Sequence, residues 1–380
     1  MRKRIPLWRA AALLCGGLVL SGCSGTMGAA GYYWQSVQGH LQIMEAARPL
    51  DDWIARPDIS PALRARLALA QRARHFASQE LRLPDNPSYR RYADLQRTAA
   101  VWNVVAAPPL ALTLHTWCFP VTGCIGYRGY FSEADAQAEA ARLQREGLEV
   151  EVYGVPAYST LGYMNWLGGD PLLSTFIGWP EGDFVRLLFH ELAHQVVYAQ
   201  GDTPFNESFA TAVERLGVQR WLDTQASPET RAAHAASEAR REAWRQLTRR
   251  TRTALAEVYA DHAQGRVDDT TARERKHSVM ARFRADYAAL RTQWLNTPGT
   301  AVTPALLGAY DRWVAAANNA SFAAQGAYND WVPAFVALHA QHRGDWAAFY
   351  DAVRQLARQP QAQRHEALRA LMPDKETPGA

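Results

Sequence analysis

The pattern of apolar positions along the 380-residue chain changes several times, and each change marks a new kind of element. Residues 32–100 read as helices with Arg-rich outer faces. PALRARLALAQRARHFASQEL is the clearest of them, opened by Ser60 as a cap and Pro61 as first helical residue. Asp85-Asn86-Pro87-Ser88 is a turn. The pattern then becomes that of strands. AAVWNVVAAP and LALTLHTWC are apolar, β-branched and bounded by prolines, GYRGYF is short, and LEVEVYG alternates. SEADAQAEAARLQREG, a capped helix, lies between the last two, which predicts a strand–helix–strand unit. After an irregular aromatic segment, helical periodicity returns at 181–199. Gly201 ends that run and Thr203-Pro204 starts the next.

Beyond Pro228 the pattern is helical almost throughout. Residues 229–263 and 269–295 predict a long antiparallel pair turning near Gly265, followed by shorter helices at 303–317, 325–341, 344–358 and 361–371. No repeat of fixed period is present, and the tail DKETPGA should be loose. The expected fold is α+β and mostly helical, with a small β-sheet before the 181–199 helix and a helical C-terminal part. The segments are 1–22 (export signal), 23–31 (Gly/Ala tether), 32–100 (helical), 101–180 (α/β), 181–222 (a helix pair) and 223–372 (helical).

Charge changes this picture only at the N-terminus. The formal net charge is +4, and Arg2, Lys3, Arg4 and Arg9 stand without an acid in residues 1–22, so the rest of the chain is neutral. No basic field remains to argue for nucleic acid. MRKR followed by AAALLCGGLVL is a cationic start and a short apolar run, the pattern of an export signal, too short for a mature membrane span. It ends in Leu20-Ser21-Gly22-Cys23, which resembles the lipobox of bacterial lipoproteins. That resemblance implies a lipid on Cys23. Ser24 in the next position implies sorting to the outer membrane, facing the periplasm. A plain secretory signal is the other reading. In an oxidising compartment Cys118 and Cys124 of CFPVTGC can form a disulfide. The alternative is a metal or redox site, for which only His115 lies near in sequence.

The candidate chemistry sits in FHELAHQVVYAQGDTPFNESFATAVE, residues 189–214. Helical spacing puts His190 and His194 on one face, with Glu191 leaning toward the same space. Two imidazoles and a carboxylate can hold a single Zn²⁺ and leave a position for water. Zinc lowers the pKa of that water, and a nearby carboxylate takes its proton. The third ligand is Glu207. The chain descends about 7.5 Å from His194, turns over Gly201, and climbs about 5 Å to Glu207 at helical rise. Ala210 allows a close helix approach, and Glu214 is placed to orient a ligand His. Taken singly, Glu207 reads as a first-turn carboxylate, Glu214 as a surface charge and His190 as a core histidine. Together they read as a metal site.

HELAHQ followed by NESFATAVE resembles the gluzincin metallopeptidases, in which an NEGFA-type motif supplies the third zinc ligand. That resemblance implies a zincin-like core, with His190, His194 and Glu207 as ligands, Glu191 as general base and Glu214 behind them. Two features depart from the aminopeptidase N group. The gap of 13 residues from His194 to Glu207 is shorter, and no GxMEN-type motif for a peptide's free amine is present. WNVVAAP, TWCFPVTGCIGYRGYF, YSTLGY, DPLLSTFI, HELAHQ and NESFATAVE together resemble a bacterial lipoprotein family of predicted zinc aminopeptidases. The implied activity is hydrolysis of a peptide substrate. An envelope endopeptidase and a non-catalytic peptide-binding lipoprotein with structural zinc are the alternatives. Tyr328 is the candidate donor to a developing oxyanion, with Tyr158 and Tyr163 as rivals. Asn318 and Asn319 are candidates for bonding a substrate backbone or for ending a helix, and Val150–Tyr153 is a candidate sheet edge for an extended substrate. Oligomeric state is not legible in the sequence.

Overall fold

A computed structural model describes residues 24–119, 123–157, 168–298, 302–325 and 331–372. The chain divides into two units, Met1–Glu45 and Ala46–Ala380. In the first, helix α1 (Ser24–Ala46) already includes the segment expected as a tether. No described helix is long and apolar enough to cross a membrane.

The second unit is mostly helical with small sheets. It opens with β1 (Arg48–Pro49), α2 (Leu50–Ala55) and α3 (Pro61–Gln79). Ser60 caps α3 by accepting from the Leu63 amide. β1 pairs antiparallel with β2 (Arg91–Ala93), inside a region read as helices with a turn at 85–88. These short strands escape the sequence pattern because each pairs over only two or three residues.

The main sheet has β3 (Val101–Ala107) at its centre. After the hairpin β4 (Trp117–Phe119) and β5 (Gly123–Ile125) comes β6 (Arg128–Tyr130). Helix α4 (Glu133–Arg145) then leads to β7 (Glu149–Val155), and the sheet order is β6-β3-β7. The strand–helix–strand unit is thus split, with β3 between its two strands and antiparallel to both. Ala136, Ala140 and Leu143 bury one stripe of α4, and Ser132 caps it. Gly154 is required by a close approach, since a Cβ there would meet the Ala99 methyl at 2.7 Å. Cys118 and Cys124 face each other across β4 and β5 and are joined by a disulfide.

LALTLHTWC was expected to be a strand, yet only its end at Trp117 is one. The entry to this segment is held from far along the chain. The buried Asn319 side chain donates to the carbonyls of Pro108, Pro109 and Ala111, so these groups are bonded without a ladder. Asn319 also accepts from the Tyr259 hydroxyl. Asn318 caps a short helix and donates to the Val150 carbonyl at the β7 edge. Both side chains tie segments of the fold together. For Asn319, fully buried, the expectation of a substrate contact gives way to this structural role.

β8 (Leu172–Leu173) runs parallel to β2 and leads to helices α5 (Glu181–His194) and α6 (Thr203–Thr224). α5 was expected to reach residue 199, but it stops at His194 with Gln195 as its C-cap. The buried Asn206 amide accepts from the Ala199 N–H at 2.7 Å and donates to the Ala199 carbonyl at 2.8 Å. A side chain has replaced the helical partners there. Asp202 caps α6 and is buried. Its Oδ2 accepts from Arg364 Nη1 at 2.6 Å and pairs with His365 Nε2 at 2.8 Å.

The long pair is present as α7 (Pro228–Ala263) and α8 (Asp269–Asn296), turning at Gly265 with φ +70°. Leu255, Tyr259, Phe283 and Tyr287 fill the seam, and α9 (Pro304–Ala316) and α10 (Asn319–Ala324) close over it with Leu307 and Phe322. The predicted 325–341 helix begins at Val332 in the described residues, as α11 (Val332–Gln341). α12 (Trp346–Arg358) and α13 (Gln361–Ala370) complete the unit.

Arg364 on α13 also donates to the carbonyls of Leu356, Ala357 and Gln359, where α12 ends. Removing it would leave buried Asp202, the cap of α6, without its guanidinium partner. Arg364→Met is expected to lower unfolding stability by about 3–5 kcal/mol, the usual cost of breaking a buried ion pair from one side. Chemical denaturation would measure this; a loss within error would assign the clamp no weight.

Candidate metal centre

α5 and α6 lie against each other because their facing sides are apolar and small. Phe184, Val185, Leu188, Phe189 and Leu192 are buried on α5, and Phe209, Ala210, Ala212 and Val213 on α6. Gly217 lets α6 pass the Phe189 ring, as a Cβ there would meet it at 3.0 Å. Among the polar residues between the two helices are His190, His194, Glu207 and Glu214, which the sequence singles out.

His190 Nε2 and His194 Nε2 are 3.2 Å apart. Glu207 brings Oε2 to 3.4 Å from His190 Nε2 and Oε1 to 3.7 Å from His194 Nε2. The three donor atoms all lie within 4.8 Å of one another. A tetrahedral zinc with bonds of roughly 2.0–2.1 Å separates its ligand atoms by about 3.3 Å, so the observed spacing suits such an ion. Donor chemistry gives a second test. Glu214 Oε2 lies 2.8 Å from His190 Nδ1, and a carboxylate can only accept, so Nδ1 carries the hydrogen. With His190 neutral, its Nε2 lone pair then points at a second imidazole nitrogen and a carboxylate. Two ring nitrogens and a carboxylate facing one another at this spacing can share a cation or a proton. The residues present fit a divalent metal.

The electrostatics follow from burial and pairing. Burial alone would lower His190, but its bonds to Glu207 and Glu214 outweigh that and raise it to about 10. Burial and the neighbouring His190 push His194 down to about 4. Burial works to raise Glu207 and Glu214, yet the facing histidines, joined by Arg186 for Glu214, hold both below the ordinary carboxylate range. Glu191 is partly exposed and lies close enough to His190 to act on it electrostatically.

Some groups at the site are not evident from local sequence patterns. Arg186 Nη1 donates to Glu214 Oε1 at 3.2 Å. Gln195, next to His194, accepts from Asn86 and donates to Ser88, which fastens the end of α5 to the 85–88 turn. That turn is itself held by Arg74, 1% exposed, which donates to the carbonyls of Pro84, Asn86 and Ser88. A cavity of about 530 Å³ opens beside His190 and Glu214, with Arg186, Arg215, His234 and Glu238 among its walls. The i−4 spacing of Arg186 from His190 was the one available hint.

Tyr158, Tyr163, Tyr328 and Cys23 lie outside the described residues. Among the described residues β7 pairs with β3 alone, and Asn318 bonds the Val150 carbonyl.

The fold and the cluster together define a mostly helical α+β protein whose buried helix pair carries a donor set able to bind a metal. A family model described as "Putative aminopeptidase" matches residues 31–368, and the chain belongs to that family. The family's description supports a peptidase function acting on peptide substrate. No curated protein and no solved structure matches the chain.

Proposed function

We propose that the chain is a zinc-dependent aminopeptidase with a gluzincin-type site, in which His190, His194 and Glu207 hold one Zn²⁺ and Glu191 is the general base. One observation supports the reading most: three donor atoms from two helices lie within 4.8 Å of one another. The convergence is built by a single turn, with Gly201 at φ +76° and Asn206 bonded to both backbone groups of Ala199, and by buried apolar packing. Bound zinc would supply a lowered pKa to a coordinated water and polarise the scissile carbonyl. The Glu191 carboxylate would take the proton of the attacking water and deliver it to the departing amine nitrogen. Glu214 would keep the His190 hydrogen on Nδ1, leaving Nε2 free to ligate. Tyr328 is the proposed donor to the developing oxyanion, with Tyr158 and Tyr163 as the competing hydroxyls.

Purified mature protein is expected to contain about one zinc per chain, the count a single three-residue donor set can hold. Protein that stays empty after zinc is added would reject the reading. Peptides with a free N-terminus and their N-acetylated forms then separate exopeptidase from endopeptidase. An aminopeptidase cleaves only the free amines, and equal cleavage of both would make the enzyme an endopeptidase. We further propose that Cys23 carries lipid and anchors the chain to the bacterial outer membrane facing the periplasm, on the lipobox resemblance. Mass spectrometry of the N-terminal peptide from the membrane fraction is expected to show acylated Cys23. An unmodified cysteine there would remove the anchor.

A further inference from the structure

Glu214 is 7% exposed, and both of its carboxylate oxygens are committed to α5. Oε2 accepts from His190 Nδ1 at 2.8 Å, and Oε1 accepts from Arg186 Nη1 at 3.2 Å. Arg186 and His190 are four residues apart, so the same helix face presents a guanidinium and an imidazole to one carboxylate. This bridge has a geometric consequence. A carboxylate held through one oxygen still turns about its terminal torsion, which is broad and roughly two-fold. Held through both, it has one orientation, and Oε2 stays in the plane where the imidazole hydrogen meets it. The guanidinium suits the second oxygen because it donates only and cannot compete for the imidazole hydrogen.

We propose that Arg186 is a positioning residue for the metal. It pins Glu214 so that Glu214 fixes the ring of His190 and aims Nε2 at the point shared with His194 and Glu207. The inference rests on the zinc reading above and adds to it an arm outside the ligand set. Arg186 is suited to this because its side chain, 32% exposed, forms part of the cavity wall beside His190. It can be replaced without opening a void in the core, and its effect on the metal can be read apart from its effect on folding. The Arg245 and Arg241 guanidiniums on α7 are engaged elsewhere, with Glu238, Glu242 and Asp183, so neither substitutes for it.

The test is a double-mutant cycle read on zinc affinity by chelator competition, with the Co²⁺ absorption spectrum as a second readout. Arg186→Gln is expected to weaken zinc binding by about 10- to 100-fold, the usual range for an outer partner of a ligand. The metal-free protein should melt close to wild type. Arg186→Lys, whose ammonium still donates to Oε1, is expected to recover most of the affinity. In a Glu214→Ala background, Arg186→Gln should cost nothing further, because Arg186 acts through Glu214. Wild-type affinity in Arg186→Gln, or full additivity with Glu214→Ala, would overturn the inference. Where the Gln variant does not fold, Arg186→Met, which keeps the aliphatic stem, takes its place in the cycle. Wild-type protein that binds no zinc would remove the underlying reading, and this inference with it.

Discussion

Glu191→Gln is expected to keep a full complement of zinc and to lose turnover by about 10²–10⁴-fold, the range for removing a positioned general base. The side chain keeps its size, so packing around α5 is unchanged. Its amide cannot accept a proton from water, so the loss should appear in kcat far more than in KM. Glu191 follows His190 directly but is not counted among the converging donor atoms, which is why metal content should be indifferent to it. Zinc analysis and steady-state kinetics on the same preparation would decide the matter. A variant that retains activity would show that another group handles the proton, and a variant that loses zinc would make Glu191 part of the binding site.

Glu207→Ala is expected to lose the metal itself. Two imidazoles at 3.2 Å would remain, both on the same helix, with nothing closing the third side. The loss should exceed the roughly 10- to 100-fold cost of removing an outer partner, since a direct donor is gone. Dialysed wild-type protein should retain its zinc while the variant comes out empty. Glu207 lies one turn into α6 and is not a cap, so the metal-free melting temperature should change little. Normal zinc content in Glu207→Ala would mean that the ion, if present, is closed by some other residue.

Much of the architecture was legible because its causes are local. Ser60 and Ser132 announce helix starts by accepting amides three residues on, and Gly265 announces the turn between α7 and α8. His190 and His194 share a face by spacing alone, and the return to Glu207 follows from one glycine and one proline. What was hidden depends on partners distant in sequence. Asn319 holds the entry to a predicted strand through the carbonyls of Pro108, Pro109 and Ala111, a partner that no window of the 110–118 segment contains. Asn206 shortens α5 by bonding both backbone groups of Ala199. Arg186 gains meaning only once α6 brings Glu214 back beside it. Polar side chains that replace backbone ladders leave no periodicity behind, so pattern reasoning passes over them.

The clamp between Asp202 and Arg364 sets an order of events during biosynthesis. The turn that delivers Glu207 is capped by a carboxylate whose cationic partner is made 162 residues later. While the chain is emerging, that carboxylate has water and no guanidinium, and the hairpin bearing the proposed ligands stays provisional. It becomes permanent when the last helix docks. A chain truncated anywhere before residue 364 would therefore present its histidines on a loosely seated helix pair.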